Sequence, residues 1–147
     1  MSSWQSFLKA DPIPWLLEPE NPPVRYFTLT EILDHPSDDK EVNEARRDIM
    51  ATGNVPKLLE GQADEGYWKT ADAYYSPRYS ATAWHFMLLA EFNANGAIPQ
   101  IRKTADYLAT HAQLENGGFC SEDISRRLPG VDGTLCFTGN MVWSFIR

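Results

Sequence analysis

QADEGYW at Gln62–Trp68 returns as QLENGGF at Gln113–Phe119, so that glutamine, glycine and an aromatic each recur 51 positions later, 62 to 113, 66 to 117 and 68 to 119. Self-similarity at such a period marks stacked helical units, each too small to bury its own apolar face. The repeat constrains the fold and names no reaction.

The segments around the two copies read as helices. Pro56 suits the first turn of a short helix over 55–62, and 63–76 reads as a loop. Ser76-Pro77 then offers an N-cap and a first-turn proline for a helix to about Asn93, stopped by Asn95-Gly96. Its sequence YSATAWHFMLLAEF is apolar nearly all round, which predicts a helix buried on most sides. Pro99 opens the next helix, 99–113, where Ile101, Ala105, Leu108 and Ala112 form one apolar stripe opposite Gln100, Arg102, Lys103 and Asp106. An inner helix touching neighbours on every side and an outer one with a wet face are what two concentric layers require. Residues 120–134 read as a loop, and Phe137 opens another apolar helix. No Gly, Asn or Pro stop follows it, so the chain is expected to be the N-terminal part of a longer protein.

Upstream, Pro12, Pro14, Pro19, Pro22 and Pro23 break up residues 1–27, which predicts an extended Pro-rich arm packed on the domain. Thr28 and Glu31 have capping-box spacing, predicting a short helix over 29–34 that stops before Pro36. Asp38 and Glu41 repeat the spacing, and Val42, Ala45 and Ile49 share one face of the helix that follows, up to a left-handed stop at Gly53. The expected organisation is thus an arm over 1–27 and helical repeats over 28–147.

Composition narrows the partners. A formal charge of −7 and a pI near 4.9 oppose nucleic acid or an anionic membrane surface as the main partner, and Arg46/Arg47 and Arg126/Arg127 are too few to override it. The start MSSWQSFLKADP is not a secretory signal, and no window reaches the length of a membrane span, so a cytoplasmic protein is expected. Two cysteines, Cys120 and Cys136, make no disulfide framework and read as free thiols.

LLEGQADEGYW and YLATHAQLENGGF resemble the QW-type repeats of terpene cyclases and protein prenyltransferases. This resemblance covers Asn54 to Arg147, about two thirds of the chain. More narrowly, DPIPWLLEPENPPVRYFTL at 11–29, GYW at 66–68, RYSATAW at 78–84 and CFTGN at 136–140 look like an uncharacterised bacterial group related to squalene cyclases. What the resemblance implies is an all-α fold, an α/α toroid of inner and outer helices around an apolar cavity, of which this chain supplies an incomplete arc. It also implies a terpene-cyclase-like or prenyltransferase-like protein that acts on or binds an isoprenoid in that cavity. The departures are specific. The chain has no DxDD acid motif and no DDxxD, and Asp132 and Cys136 are three residues apart, where prenyltransferase zinc ligands are separated by one.

Gln62, Gly66, Trp68, Gln113, Gly117 and Phe119 read as structural. A glutamine at a helix end can bond the backbone of a neighbouring helix, the ring stacks on it, and the glycine permits a tight turn. Asp64 and Glu65, beside Tyr67 and Trp68, are the candidate acids, since a carboxyl against aromatic walls can hold its proton; a solvated acidic turn is the plainer reading. Trp68, Tyr79, Trp84 and Met87 are the candidate cavity-lining groups and His85 the candidate base, weighed against interlayer packing and a hydrogen-bonded core histidine. A set of His111, Cys120, Asp132 and Cys136 matches no compact zinc signature, so no metal or cofactor is predicted. Arg126-Arg127 is a candidate diphosphate contact, weighed against a solvated basic pair.

Two further function classes stay open on the residues. One is a non-catalytic helical-repeat binding or scaffold module, which needs no acid motif. The other is a carbohydrate-active α/α-toroid enzyme, with Asp64 and Asp123 following the two repeat glutamines. An open arc also predicts self-association through exposed apolar helix faces.

Overall fold

The computed structural model describes residues 7–72, 74–121 and 133–147. The protein is all-α, and among these residues the extended pairing is a single isolated bridge, Gln113 with Phe119. Among the described residues seven α-helices run α1 Ile13–Leu16, α2 Pro22–Phe27, α3 Lys40–Ala51, α4 Asn54–Glu60, α5 Thr82–Glu91, α6 Pro99–His111 and α7 Leu135–Ile146. They fall into two compact units, 1–53 and 54–147.

In the first unit, α2 packs on α3. Leu29, Val42 and Ala45 form the buried cluster, with Leu17, Tyr26 and Leu33 against it. Each fully buried aliphatic side chain here contributes about 1.5–3 kcal/mol. The prolines do not keep the whole arm extended. Pro22 and Pro23 occupy the first turn of α2, where a missing N–H costs nothing, so 22–27 is helical. Nor does a new helix start at Thr28. That residue is itself helical, and α2 widens into a π-turn over Thr28–Ile32. Thr28 Oγ1 donates to the Val24 carbonyl at 2.8 Å and Thr30 Oγ1 to Tyr26 at 3.0 Å. Hydroxyls competing for carbonyls four residues back loosen the helical ladder, which accounts for the widening. The cap of α3 is Asp39 rather than Asp38: its Oδ1 accepts from the Glu41 and Val42 N–H groups. Val42, Ala45 and Ile49 form the buried face, and Gly53 takes φ +75° after the helix.

In the second unit, α5 is the hub and touches α4, α6 and α7. It starts at Thr82, five residues later than Pro77, because tertiary bonds set its first turn. The Ala83 N–H donates to the Tyr74 carbonyl at 2.8 Å, the Trp84 Nε1–H to Tyr75 at 2.7 Å, and Tyr79 at φ +64° breaks any earlier turn. The helix ends at Glu91, with Asn93 rather than Gly96 in the left-handed conformation that turns the chain away. Burial follows one stripe, Thr82, Ala83, Phe86 and Leu89, rather than the whole circumference, and Leu88 is exposed. Pro99 opens α6, whose Ile101, Thr104, Tyr107 and Leu108 face inward. Phe137, Met141 and Ser144 are the buried positions of α7.

Candidate functional site

The two repeat segments fold into the same backbone turn. Ala63 N–H donates to the Tyr67 carbonyl at 2.8 Å and Gly66 N–H to Ala63 at 2.9 Å; 51 positions on, Leu114 N–H donates to Gly118 at 2.7 Å and Gly117 N–H to Leu114 at 2.9 Å. Gly66 and Gly117 hold φ +100° and +84°, a region costly for any residue with a Cβ. The aromatic residue that closes each turn donates its N–H to a threonine hydroxyl of a following helix, Trp68 to Thr82 at 3.1 Å and Phe119 to Thr138 at 2.9 Å.

Side chains of α6 add further bonds to the first turn. Gln62 Nε2 donates to the Gln100 carbonyl at 2.9 Å and to Thr104 Oγ1 at 2.6 Å, and that hydroxyl donates to the Gly66 carbonyl at 2.9 Å. The triad ties the turn after α4 to the first turns of α6. Trp68 is 3% exposed, its Nε1–H donates to the Leu58 carbonyl at 2.8 Å, and its ring stacks on His85 at 4.7 Å and 11°. Gln113 is exposed, and its side chain meets no hydrogen-bond partner among the described residues.

His85 is half-buried. Its Nδ1 lies 3.1 Å from the Ala81 carbonyl, which can only accept, so Nδ1 carries the proton and Nε2 keeps the lone pair. Burial lowers its pKa from the ordinary histidine value; the bond to Ala81 works against the shift and the charge of Lys69 adds to it. The ring is therefore neutral at pH 7.

One concave surface lies along α6 and another between α5 and α7. The larger has a volume of about 680 Å³ and is walled by Tyr67, Tyr74, Tyr107 and His111, with Glu65, Asp106 and Lys103 at its edge. Ring centroids of Tyr67 and Tyr107 are 5.4 Å apart, and those of Tyr107 and His111 4.6 Å. Tyr107 donates its hydroxyl to the Ala71 carbonyl. Glu65 is an exposed residue of this rim, whereas Asp64 is held through its main chain, its carbonyl accepting from Lys103 Nζ at 2.9 Å. Lys103, Tyr107, Thr110 and His111 recur at helical spacing on α6. That spacing was legible in the sequence, but its polar face reads as plain solvent exposure.

The smaller surface, about 390 Å³, lies between α5 and α7 and is lined by Met87, Glu91, Asn140, Trp143 and Ser144. Trp84, Met87, Leu88 and Glu91 share one face of α5 by helical spacing. At the N-terminal end of that face, Tyr79 is 74% exposed with its ring 4.9 Å from Trp84. On α7, Leu135, Val142 and Ile146 form an exposed stripe opposite the buried one, Leu135 at 88% and Ile146 at 77%. Trp143 escaped notice in the sequence because it belongs to an unbroken apolar run, where only packing tells the wet face from the dry.

Cys120 is buried and Cys136 exposed, both as free thiols. Asp123, Arg126, Arg127 and Asp132 lie outside the described residues. No helix among the described residues is long and apolar enough to cross a membrane. No protein-family model matches the chain, and no curated protein or solved structure matches it.

Proposed function

We propose that the second unit is a terpene-cyclase-like helical-repeat module that binds an apolar isoprenoid chain along the face shared by α5 and α7. The observation that carries this reading is the Met87–Trp143 groove between the two helices, with Leu135, Val142 and Ile146 left exposed on another side of α7. A surface of this kind gains free energy by giving up water to a hydrocarbon, at about 25 cal/mol per Å². Methyl-branched chains suit it because Met adapts its shape and Trp offers a broad π face to alkene carbons. Asn140 places a hydrogen-bonding amide in the same groove, suited to a polar head group.

Binding is favoured over catalysis by this chain. Among the described residues neither Asp64 nor Glu65 lines the α5–α7 groove, and Glu91 is the one carboxylate there. His85 spends its one N–H on Ala81 and stacks on Trp68, which suits a packing role. A carbohydrate-binding reading draws on the other groove, where tyrosine rings adjoin Glu65 and Asp106.

Tryptophan emission titrated with farnesol tests the proposal. A saturable change is expected, lost in W143A and weakened by V142D, while Y67A has no effect. A response unaltered in both W143A and V142D, or none in the wild type, sinks the isoprenoid reading; retention on immobilised oligosaccharide that is lost in Y67A would replace it with the carbohydrate one.

A further inference from the structure

The first unit holds a different chemistry. Between the π-turn and α3 the chain is pinned by two backbone bonds, His35 N–H to the Leu29 carbonyl at 2.9 Å and Asp39 N–H to Pro36 at 3.0 Å, and by one side-chain bond, Asn43 Nδ2–H to the Asp39 carbonyl at 2.9 Å. Asp39 spends Oδ1 on capping α3, which leaves Oδ2 turned toward His35 Nδ1 at 3.5 Å. That distance is too long for a hydrogen bond. His35 Nδ1 is nevertheless buried, and no hydrogen-bond partner reaches it. A buried polar atom left without a partner requires an explanation, and a bound ion is one of the few available. The third group is Glu41: one ligand atom from each of His35, Asp39 and Glu41 lies within 4.8 Å of the others.

We propose that His35, Asp39 and Glu41 form a binding site for a divalent transition metal, with water completing the coordination. Ligand atoms around such an ion stand about 3 Å apart, given metal–ligand bonds of about 2.0–2.2 Å. His35 and Asp39 are already close to that separation, and Glu41, with a side chain 57% exposed, is free to swing the remaining distance. One imidazole nitrogen with two carboxylate oxygens favours Mn²⁺, Fe²⁺ or Zn²⁺ over Mg²⁺ and Ca²⁺, which prefer all-oxygen sets. The two carboxylates supply the neutralising charge. A cation near the N-terminal end of α3 meets the positive pole of the helix, but Asp39 already offsets that pole as the cap. The competitor is Arg25, whose Nη2 stands 3.9 Å from both Glu41 and Glu44. At that length, with both carboxylates largely in solvent, the pair contributes little and yields readily to a doubly charged ion.

Free Mn²⁺ measured by electron paramagnetic resonance, titrated against the full chain, tests the assignment. Loss of signal equivalent to one ion per chain is expected, with Zn²⁺ displacing the Mn²⁺. H35A and E41Q should each weaken binding by at least about 10-fold. H111A and C136S should leave it unchanged. R25Q should tighten it, because the competing charge is gone; an unchanged affinity in R25Q removes Glu41 from the set. Since Glu41 and His35 are not core residues, circular dichroism of both variants should match the wild type. No binding by the wild type, or wild-type affinity in either H35A or E41Q, overturns the proposal.

Discussion

The turns at 62–68 and 113–119 share a backbone and differ in the side chains fastened around it. Both use the same two main-chain hydrogen bonds, a glycine at positive φ, and a threonine hydroxyl taking the N–H of the closing aromatic residue. In the first, Gln62, Thr104 and Trp68 add four side-chain bonds, and the backbone of α6 presses on Gly66. In the second, Gln113 is exposed and none of the described residues lies within 4 Å of a Cβ at Gly117. The turn is what the repeat preserves, and the fastening depends on whether a neighbouring helix is there to accept it.

The sharpest way to break this contrast is at the glycines. A Cβ at Gly66 would sit 2.7 Å from the Lys103 main chain, on top of a left-handed backbone, so G66A should lose about 3–4 kcal/mol or fail to fold. G117A bears the conformational cost alone, about 1 kcal/mol. Equal urea-denaturation midpoints for the two would show that the pressing of α6 on the first turn is unimportant.

The shared hydroxyl gives the next largest effect. T82V strands the buried Trp68 N–H and should cost about 1–3 kcal/mol, with T138V at or just below that range because Phe119 N–H is only part-buried. A T138V chain as stable as the wild type would mean that the second turn is not closed the way the first is.

At the glutamines the two regions should separate again. Q62A leaves the Gln100 carbonyl and Thr104 hydroxyl without their donor, for about 1–2 kcal/mol, whereas Q113A should stay within about 0.5 kcal/mol. Thermal melts of the pair decide it; matching losses would place Gln113 in a bond of its own.

The smallest effect is a pH dependence confined to the first turn, where His85 stacks on Trp68. Because its folded-state pKa is lowered, its contribution to stability is complete above the ordinary histidine value and is lost as pH falls through the lowered one. Between pH 7 and about 5 the wild type should lose slightly more stability than H85F, by under about 1 kcal/mol since the ring is half in solvent. A melt series in which H85F is equally acid-sensitive would remove the histidine as the cause.

Legibility differed by kind of signal. Pro99, Gly53 and the Val42–Ala45–Ile49 face are local, and the structure has them where the spacing puts them. Errors came where a capping signal met another hydrogen bond that took its place. Ser76-Pro77 looks like a helix start, but the carbonyls of Tyr74 and Tyr75 satisfy the donors of a helix that begins at Thr82. Thr28 looks like a cap, but its hydroxyl serves the preceding turn. At the candidate sites the grooves were the least legible. Met87 and Trp84 were visible as aromatic or soft residues on one helix face, while Trp143 gained meaning only from α5 opposite it and Tyr107 only from the loop at 65–74.

The sequence by itself determined the helical class, the period of 51 residues, the glycines that the turns demand and the positions of most helix stops, because propensity, φ restriction and capping act over a few residues. Tertiary structure decided which copy of the repeat is fastened, which side of α5 and α7 stays wet, and that His35 meets two carboxylates with its nitrogen unsatisfied. The first two outcomes depend on groups far apart in the chain, 42 positions for Gln62 and Thr104 and 59 for Phe86 and Phe145, and separations of that size are closed by packing and leave no local signature.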